Sequence, residues 1–347
     1  MYNNESRGEL MKIEDMEFLS NKIKDISLLK EIIITLDCMT YEEKIKIFEE
    51  LKNCDYAYTA FYIIINRNVV KNKTVEDQIK LMKELKNCDY NEDAYSIAID
   101  SYLLKNNKVE DQIKLMETLK KCNYNKSISR IVTDRNILNN RTIEDQIRLM
   151  EELKNCDYNE YAYEIAINNN VLNNRTIEEQ IKLMEELKNC DYNVNACYIA
   201  TNSIVLKNRT IEEQIKLMEE LKKCYYNWHV YNIAENRGVL ENRAIEEQIK
   251  LMKELKNCDY NENAYKIAIN SDVLKNRTIE EQLNLMRAFI KKGKVSHNDN
   301  LQKIQNIKEY KKYLKNLKEE LGKDADVRLD TMVLEFIPDK KNRRKEN

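Results

Sequence analysis

Residues 191–224, DYNVNACYIATNSIVLKNRTIEEQIKLMEELKKC, run without a gap into residues 225–258, YYNWHVYNIAENRGVLENRAIEEQIKLMKELKNC, and one laid over the other shows the same 34-residue unit twice. The register extends back to Asp55 and on to Lys292, giving seven full units, with a degenerate unit from Asn21 to Cys54 ahead of them. The second half of each unit predicts an amphipathic helix. In Thr210 to Lys223, TIEEQIKLMEELKK, the threonine stands three residues before Glu213, the spacing of a capping box, and Glu212 lies near the positive end of the helix dipole. Ile211, Ile215, Met218 and Leu221, with Leu217 alongside, form one apolar stripe. The first half predicts a shorter helix after a Tyr-Asn pair, as in residues 193–202, with the asparagine capping the free amides. Tyr90, Ala94, Ile97 and Ala98 share its face, and the alanines admit a close neighbour. It ends at a polar residue such as Asp100 or Asn168, and a Val-Leu-x-Asn stretch leads to the next helix. Asn72, Asn106, Asn140, Asn174, Asn208, Asn242 and Asn276 in that stretch are expected to use asparagine's tolerance of positive φ.

A pair of one-sided helices cannot bury its stripe alone, so copies must stack. The expected fold is all-α: a right-handed αα-solenoid (superhelix) of two-helix 34-residue repeats, with a degenerate N-terminal cap and a longer C-terminal capping helix. Residues 1–54 are assigned to the N-terminal cap, 55–292 to the seven repeats, 293–322 to the capping helix and 323–347 to a tail with a basic end. One Pro, four Gly and 34% charged residues agree with helices. No apolar run approaches the roughly 18 to 20 residues that span a bilayer, and MYNNESRGELMKIED lacks the basic-then-apolar layout of a signal peptide. A cytoplasmic protein without membrane contact is expected.

Seven of the nine cysteines, Cys54, Cys88, Cys122, Cys156, Cys190, Cys224 and Cys258, fall at one repeat position. Stacked helices lie roughly 8 to 10 Å apart, beyond the roughly 7 Å Cα limit for a disulfide, so packed, reduced thiols are expected. With only His229 and His297, and no Cys pair at metal-binding spacing, neither a metal nor a cofactor is expected. The net charge of −2 divides unevenly: residues 291–347 hold 16 Lys and Arg against 10 Asp and Glu, leaving −8 for residues 1–290. An acidic body argues against phosphate binding along the whole length.

The segment Lys207 to Lys222, KNRTIEEQIKLMEELK, resembles the second helix of pentatricopeptide repeats, whose usual form is K-x-G-R-V-E-E-A-L-x-L-F-x-E-M, and Tyr265, Ile267 and Ile269 stand in a frame comparable to the Y-x-x-L-I of the first. The resemblance implies helix pairs whose first helices line a concave face; in that family the groove reads single-stranded RNA. At the family's base-reading position this chain has Ile63, Ile97, Ile131, Ile165, Ile199, Ile233 and Ile267. Isoleucine cannot hydrogen-bond a base edge, so the RNA code is not carried over. The period of 34 is also similar to tetratricopeptide repeats, which bind peptides. Ile-Ala-x-Asn ahead of a variable pair such as Ser271 and Asp272 gives a weaker likeness to the 34-residue repeats of DNA-reading effectors.

The repeats provide their own comparison. Second helices are near copies even at exposed positions, whereas substitutions gather in the first helices: Glu92, Asp93 and Ser96 in one unit, Lys126, Ser127 and Arg130 in the next. Copying alone would scatter changes over both. The first helices are therefore expected to form a partner-binding surface from Phe61, Tyr95, Ser96, Lys126, Arg130, Tyr163, Glu164, Tyr198, Trp228, His229, Tyr231, Asn232, Tyr265 and Lys266, the aromatic residues serving as anchors. The leading expectation is a non-enzymatic scaffold holding a protein or peptide on the concave face. The alternative is single-stranded RNA or DNA binding by aromatic stacking, helped by the basic tail. No phosphate loop, nucleophile elbow or His-centred site points to catalysis. Gln78, Gln112, Gln146, Gln180, Gln214, Gln248 and Gln282 are expected to tie down the adjoining turn by hydrogen bonds rather than to touch a ligand.

Overall fold

The computed structural model describes residues 13–292 together with Lys312 and Lys315. Apart from those two lysines, the capping helix expected over 293–322 lies outside the described residues, as does the tail 323–347. Every regular element among the described residues is a helix. The chain forms two compact units, residues 1–185 and 186–347.

Each repeat holds three helices rather than the expected two. In the second repeat these are an opening helix Glu92–Ile99, a short helix Ser101–Asn106 and a long helix Val109–Lys121. The extra break comes from the polar residue at the end of the opening helix. The Asp100 carboxylate accepts from the amides of Tyr102 and Leu103 at 2.9 and 3.0 Å, so the residue that ends one helix also caps the next. Leu103 and Leu104 of the short helix are buried. The degenerate N-terminal repeat acts as an internal control: Ile32 stands at the Asp100 position, and there one helix, Ile26–Asp37, runs through.

Within each unit, like helices stack on like. Long helices pack in succession (Val75–Asn87, Val109–Lys121 and Ile143–Asn155 in the first unit; Ile211–Lys223, Ile245–Asn257 and Ile279–Lys292 in the second), and opening and short helices do the same. The stripe of the long helix is the core: Leu217, Met218 and Leu221 are buried, as are Ile199 and Ala200 of the opening helix before it. Thr74, Thr142 and Thr210 complete capping boxes with Asp77, Asp145 and Glu213, and Asn193 caps its helix, all as expected.

Positive φ occurs elsewhere than expected. The column of Asn72 and Asn106 ends the short helices, where each side-chain amide donates to the carbonyl four residues back. Positive φ falls instead on the pair that follows each long helix, such as Asp89 and Tyr90 at 53° and 56°. The Asp89 amide donates to the Lys86 carbonyl and the Tyr90 amide to the Leu85 carbonyl, the pattern of a Schellman termination. Left-handed backbone at a side-chain-bearing residue costs about 1 to 2 kcal/mol. What the tyrosine returns is a bond to the previous repeat: Tyr90 Oη donates to the Cys54 carbonyl at 2.6 Å, and Tyr226 Oη to that of Cys190 at 2.6 Å. Tyr90 thus precedes the opening helix instead of sharing its face with Ala94.

The glutamine column ties down the end of the opening helix, as expected, and through an arginine partner also ties one repeat to the previous one. Gln248 Nε2 donates to the carbonyls of Ile233 and Ala234 at 3.0 and 2.9 Å, closing the end of the opening helix, while its Oε1 accepts from Arg209 one repeat earlier. Arg141 reaches Gln180 and Arg243 reaches Gln282 in the same way. Where the preceding repeat lacks this arginine the acceptor is orphaned: Lys73 precedes Gln112 and Asn107 precedes Gln146, and Oε1 of both glutamines is buried without a partner. An unmet buried acceptor costs about 1 to 3 kcal/mol, so Asn107→Arg is expected to raise stability by about 1 kcal/mol, read as a higher urea midpoint. An unchanged or lower midpoint contradicts that account of the column.

The seven thiols of the repeat column are buried and form no disulfide, while Cys38 is exposed. Each lies under the next repeat, with Cys88 Sγ 3.7 Å from the Met116 carbonyl and 3.5 Å from the Glu84 carboxylate. Burial first, then that carboxylate, pushes the Cys88 thiol up to about 12, and Cys54, Cys224 and Cys258 to about 11. Burial also pushes the Tyr90 and Tyr226 hydroxyls up to about 12. These groups stay protonated in the folded chain at a pH where the unfolded chain has ionised. Their stabilisation is complete below about pH 9 and is lost as pH rises towards 12. The urea midpoint is expected to fall between pH 8 and pH 10.5; a flat profile contradicts the burial. At pH 8 a thiol reagent should modify Cys38 alone in the native chain, and all nine cysteines in denaturant.

Candidate functional site

Two faces of each unit carry different chemistry. On the long helices, charges pair from one repeat to the next: Lys46 with Glu76 at 2.8 Å, Lys80 with Glu110 at 2.6 Å, Arg148 with Glu178 at 2.7 Å and Lys250 with Glu280 at 3.3 Å. Lys216 likewise reaches Glu246. These exposed pairs contribute little individually, about 0 to 1 kcal/mol each, but the face satisfies its own charges.

The opening helices are different. Consecutive ones pack on each other within a unit, so their outward residues form a continuous strip. In the first unit Ser96, Lys126 and Arg130 are exposed, and Tyr95, Tyr163 and Glu164 half-buried. Tyr95 lies 6.4 Å from Tyr62, a partly exposed ring not among the expected residues. Ser96 spends its hydroxyl on the Glu92 carbonyl of its own helix. Phe61 is 1% exposed and is corrected to a core residue, since a ring sealed inside the stack cannot touch a partner.

In the second unit the expected residues cluster. Trp228 is 58% exposed and Tyr198 43%, and both rings contact Tyr231, at centroid separations of 5.1 and 6.2 Å. Tyr231 itself is only 6% exposed, because those rings cover it; its role is corrected from contact residue to floor. The Tyr231 hydroxyl donates to Glu235 Oε2 at 2.6 Å, and Asn202 Nδ2 donates to the same oxygen at 3.1 Å. Burial and the carboxylate together push the Tyr231 hydroxyl up. Beside this group, the half-buried His229 stacks on Tyr265 at 4.5 Å, the Asn232 side chain lies beside Tyr265, and exposed Lys266 pairs with Glu262 at 3.3 Å. His229 Nδ1 is buried without a partner.

Glu235 and Asn202 were not among the expected residues. The signal for Glu235 lay in its column, where the other repeats have Ile65, Ile99, Thr133, Ile167, Thr201 and Ile269. Only the sixth repeat puts a carboxylate there, and the same repeat carries the chain's single tryptophan. The isoleucines at the position matching the pentatricopeptide base reader, Ile63 to Ile267 at 34-residue spacing, are buried throughout. No group of three or more His, Cys, Asp or Glu among the described residues could hold a metal ion, and no helix there is long and apolar enough to cross a membrane. Comparison with family models, curated proteins and solved structures finds no match to this chain.

Proposed function

We propose that this chain is a binding scaffold that holds a protein or peptide partner on the face formed by its opening helices. The observation that carries the reading is the pair of exposed rings, Trp228 and Tyr198, seated on the covered ring of Tyr231. Large rings left in water gain about 25 cal/mol per Å² when covered, and tryptophan and tyrosine dominate the energetics of protein interfaces. A carboxylate beside the rings and the net charge of −8 over residues 1–290 favour a protein over a phosphate backbone. The single-stranded nucleic-acid reading, of pentatricopeptide-like type, shares the exposed rings but has a buried isoleucine in place of a base reader.

A tagged chain incubated with extract of its host decides between them. A partner that survives nuclease treatment and is lost from the Trp228→Ala, Tyr198→Ala double variant supports the protein reading. Release of everything bound by nuclease contradicts it and supports the rival.

A further inference from the structure

We infer that Trp228, Tyr198 and Glu235, held together over the covered ring of Tyr231, receive a cationic side chain, arginine or lysine, projecting from an extended basic segment of the partner. The inference rests on the docking reading above and assigns its chemistry. Trp228, Tyr231 and Glu235 stand at i, i+3 and i+7 of the helix Trp228–Glu235, which puts them on one face. The face therefore offers rings at one end and a carboxylate at the other.

The carboxylate is set up for a cation. Its two donors, Tyr231 and Asn202, are neutral, and both bond Oε2. An ionised carboxylate accepts about four hydrogen bonds, so its capacity is not filled by these two. Among the described residues no Lys or Arg forms an ion pair with Glu235; the nearby cations Arg237 and Lys266 are paired with Glu241 at 2.6 Å and Glu262 at 3.3 Å. Every other repeat fills the position with isoleucine or threonine, so the fold does not require a charge there. The rings supply the rest of the attraction, since the faces of tryptophan and tyrosine draw cations and a guanidinium also stacks on them. A neutral or acidic segment would leave the carboxylate facing apolar or like-charged groups as water is removed, which disfavours it.

Trp228 is the only tryptophan, so its emission reports occupancy of this site directly. The full chain is titrated in about 0.15 M salt, where long-range attraction is screened, with acetyl-Gly-Ser-Arg-Leu-Ser-Gly-amide. A second peptide replaces arginine by citrulline, which has the same shape and no charge. A saturable emission change with the arginine peptide is expected, with binding at least tenfold tighter than for citrulline. Glu235→Gln, which keeps an oxygen to accept from Tyr231, is expected to bring the two peptides level. Equal binding of both by the unaltered chain, no saturable change up to about 10 mM, or a preference that survives Glu235→Gln overturns the inference. The comparison on the unaltered chain needs no variant to fold. If the preference is missing while the Trp228→Ala, Tyr198→Ala variant still loses a nuclease-resistant partner, the cation assignment falls and the docking reading stands.

Discussion

Arg209→Ala is expected to cost about 3 kcal/mol. The guanidinium is 9% exposed and bonds Gln248 Oε1 at 3.2 and 3.0 Å, the Arg243 carbonyl at 2.7 Å and the Leu240 carbonyl at 3.3 Å. Truncation leaves three buried acceptors unmet, each belonging to the next repeat. Gln248→Leu is expected to cost a comparable amount by the opposite route: it removes one acceptor of the buried Arg209 guanidinium and leaves the carbonyls of Ile233 and Ala234 without their donor. Because the two residues act through one another, the double variant should lose less than the sum of the single losses. Chemical denaturation with hydrogen exchange on Ile245–Asn257 measures both the size and the place of the effect. Additive losses, or exchange unchanged in that helix, would show that the bond does not couple the repeats.

The second large effect is on binding. Trp228→Ala is expected to weaken a nuclease-resistant partner at least a hundredfold, about 3 kcal/mol, with the thermal midpoint unchanged. The ring is mostly in solvent in the free chain, so its removal costs the fold little, while a bound partner loses its anchor. Lys216→Ala on the long-helix face is the matched control and should leave affinity within about twofold, as an exposed ion pair predicts. Equal losses from the two substitutions would contradict a contact confined to the opening-helix face.

How legible these features were in the sequence follows from how side chains report on backbone. The 34-residue unit, the Thr capping boxes and the glutamine ties were readable because each depends on residue type at a fixed spacing that recurs along the chain, the threonine in five of the seven repeats. The third helix was not, because Asp100 and its equivalents mark a helix end and a helix start with the same side chain. Positive φ was assigned to asparagine by propensity, yet the chain places it at Asp89 and Tyr90, where an inter-repeat hydroxyl bond offsets the strain. The candidate site was half legible. Variation along the opening helices pointed to the face that carries the exposed rings, but Phe61 and Tyr231 share a column with the half-buried Tyr95, Tyr163 and Tyr265, and neighbours in space decide which of those rings is sealed. Glu235 was visible as the one charge in an otherwise uncharged column; the bonds that hold it beside the rings were not.

The most direct test of the binding-face assignment is hydrogen exchange on the full chain, free and saturated with its nuclease-resistant partner. Slowed exchange is predicted in the opening helices Val194–Thr201, Trp228–Glu235 and Glu262–Ile269. The long helices Ile211–Lys223 and Ile245–Asn257 are predicted to stay unchanged. Protection confined to the long helices, with the Trp228 helix unaffected, would contradict the account.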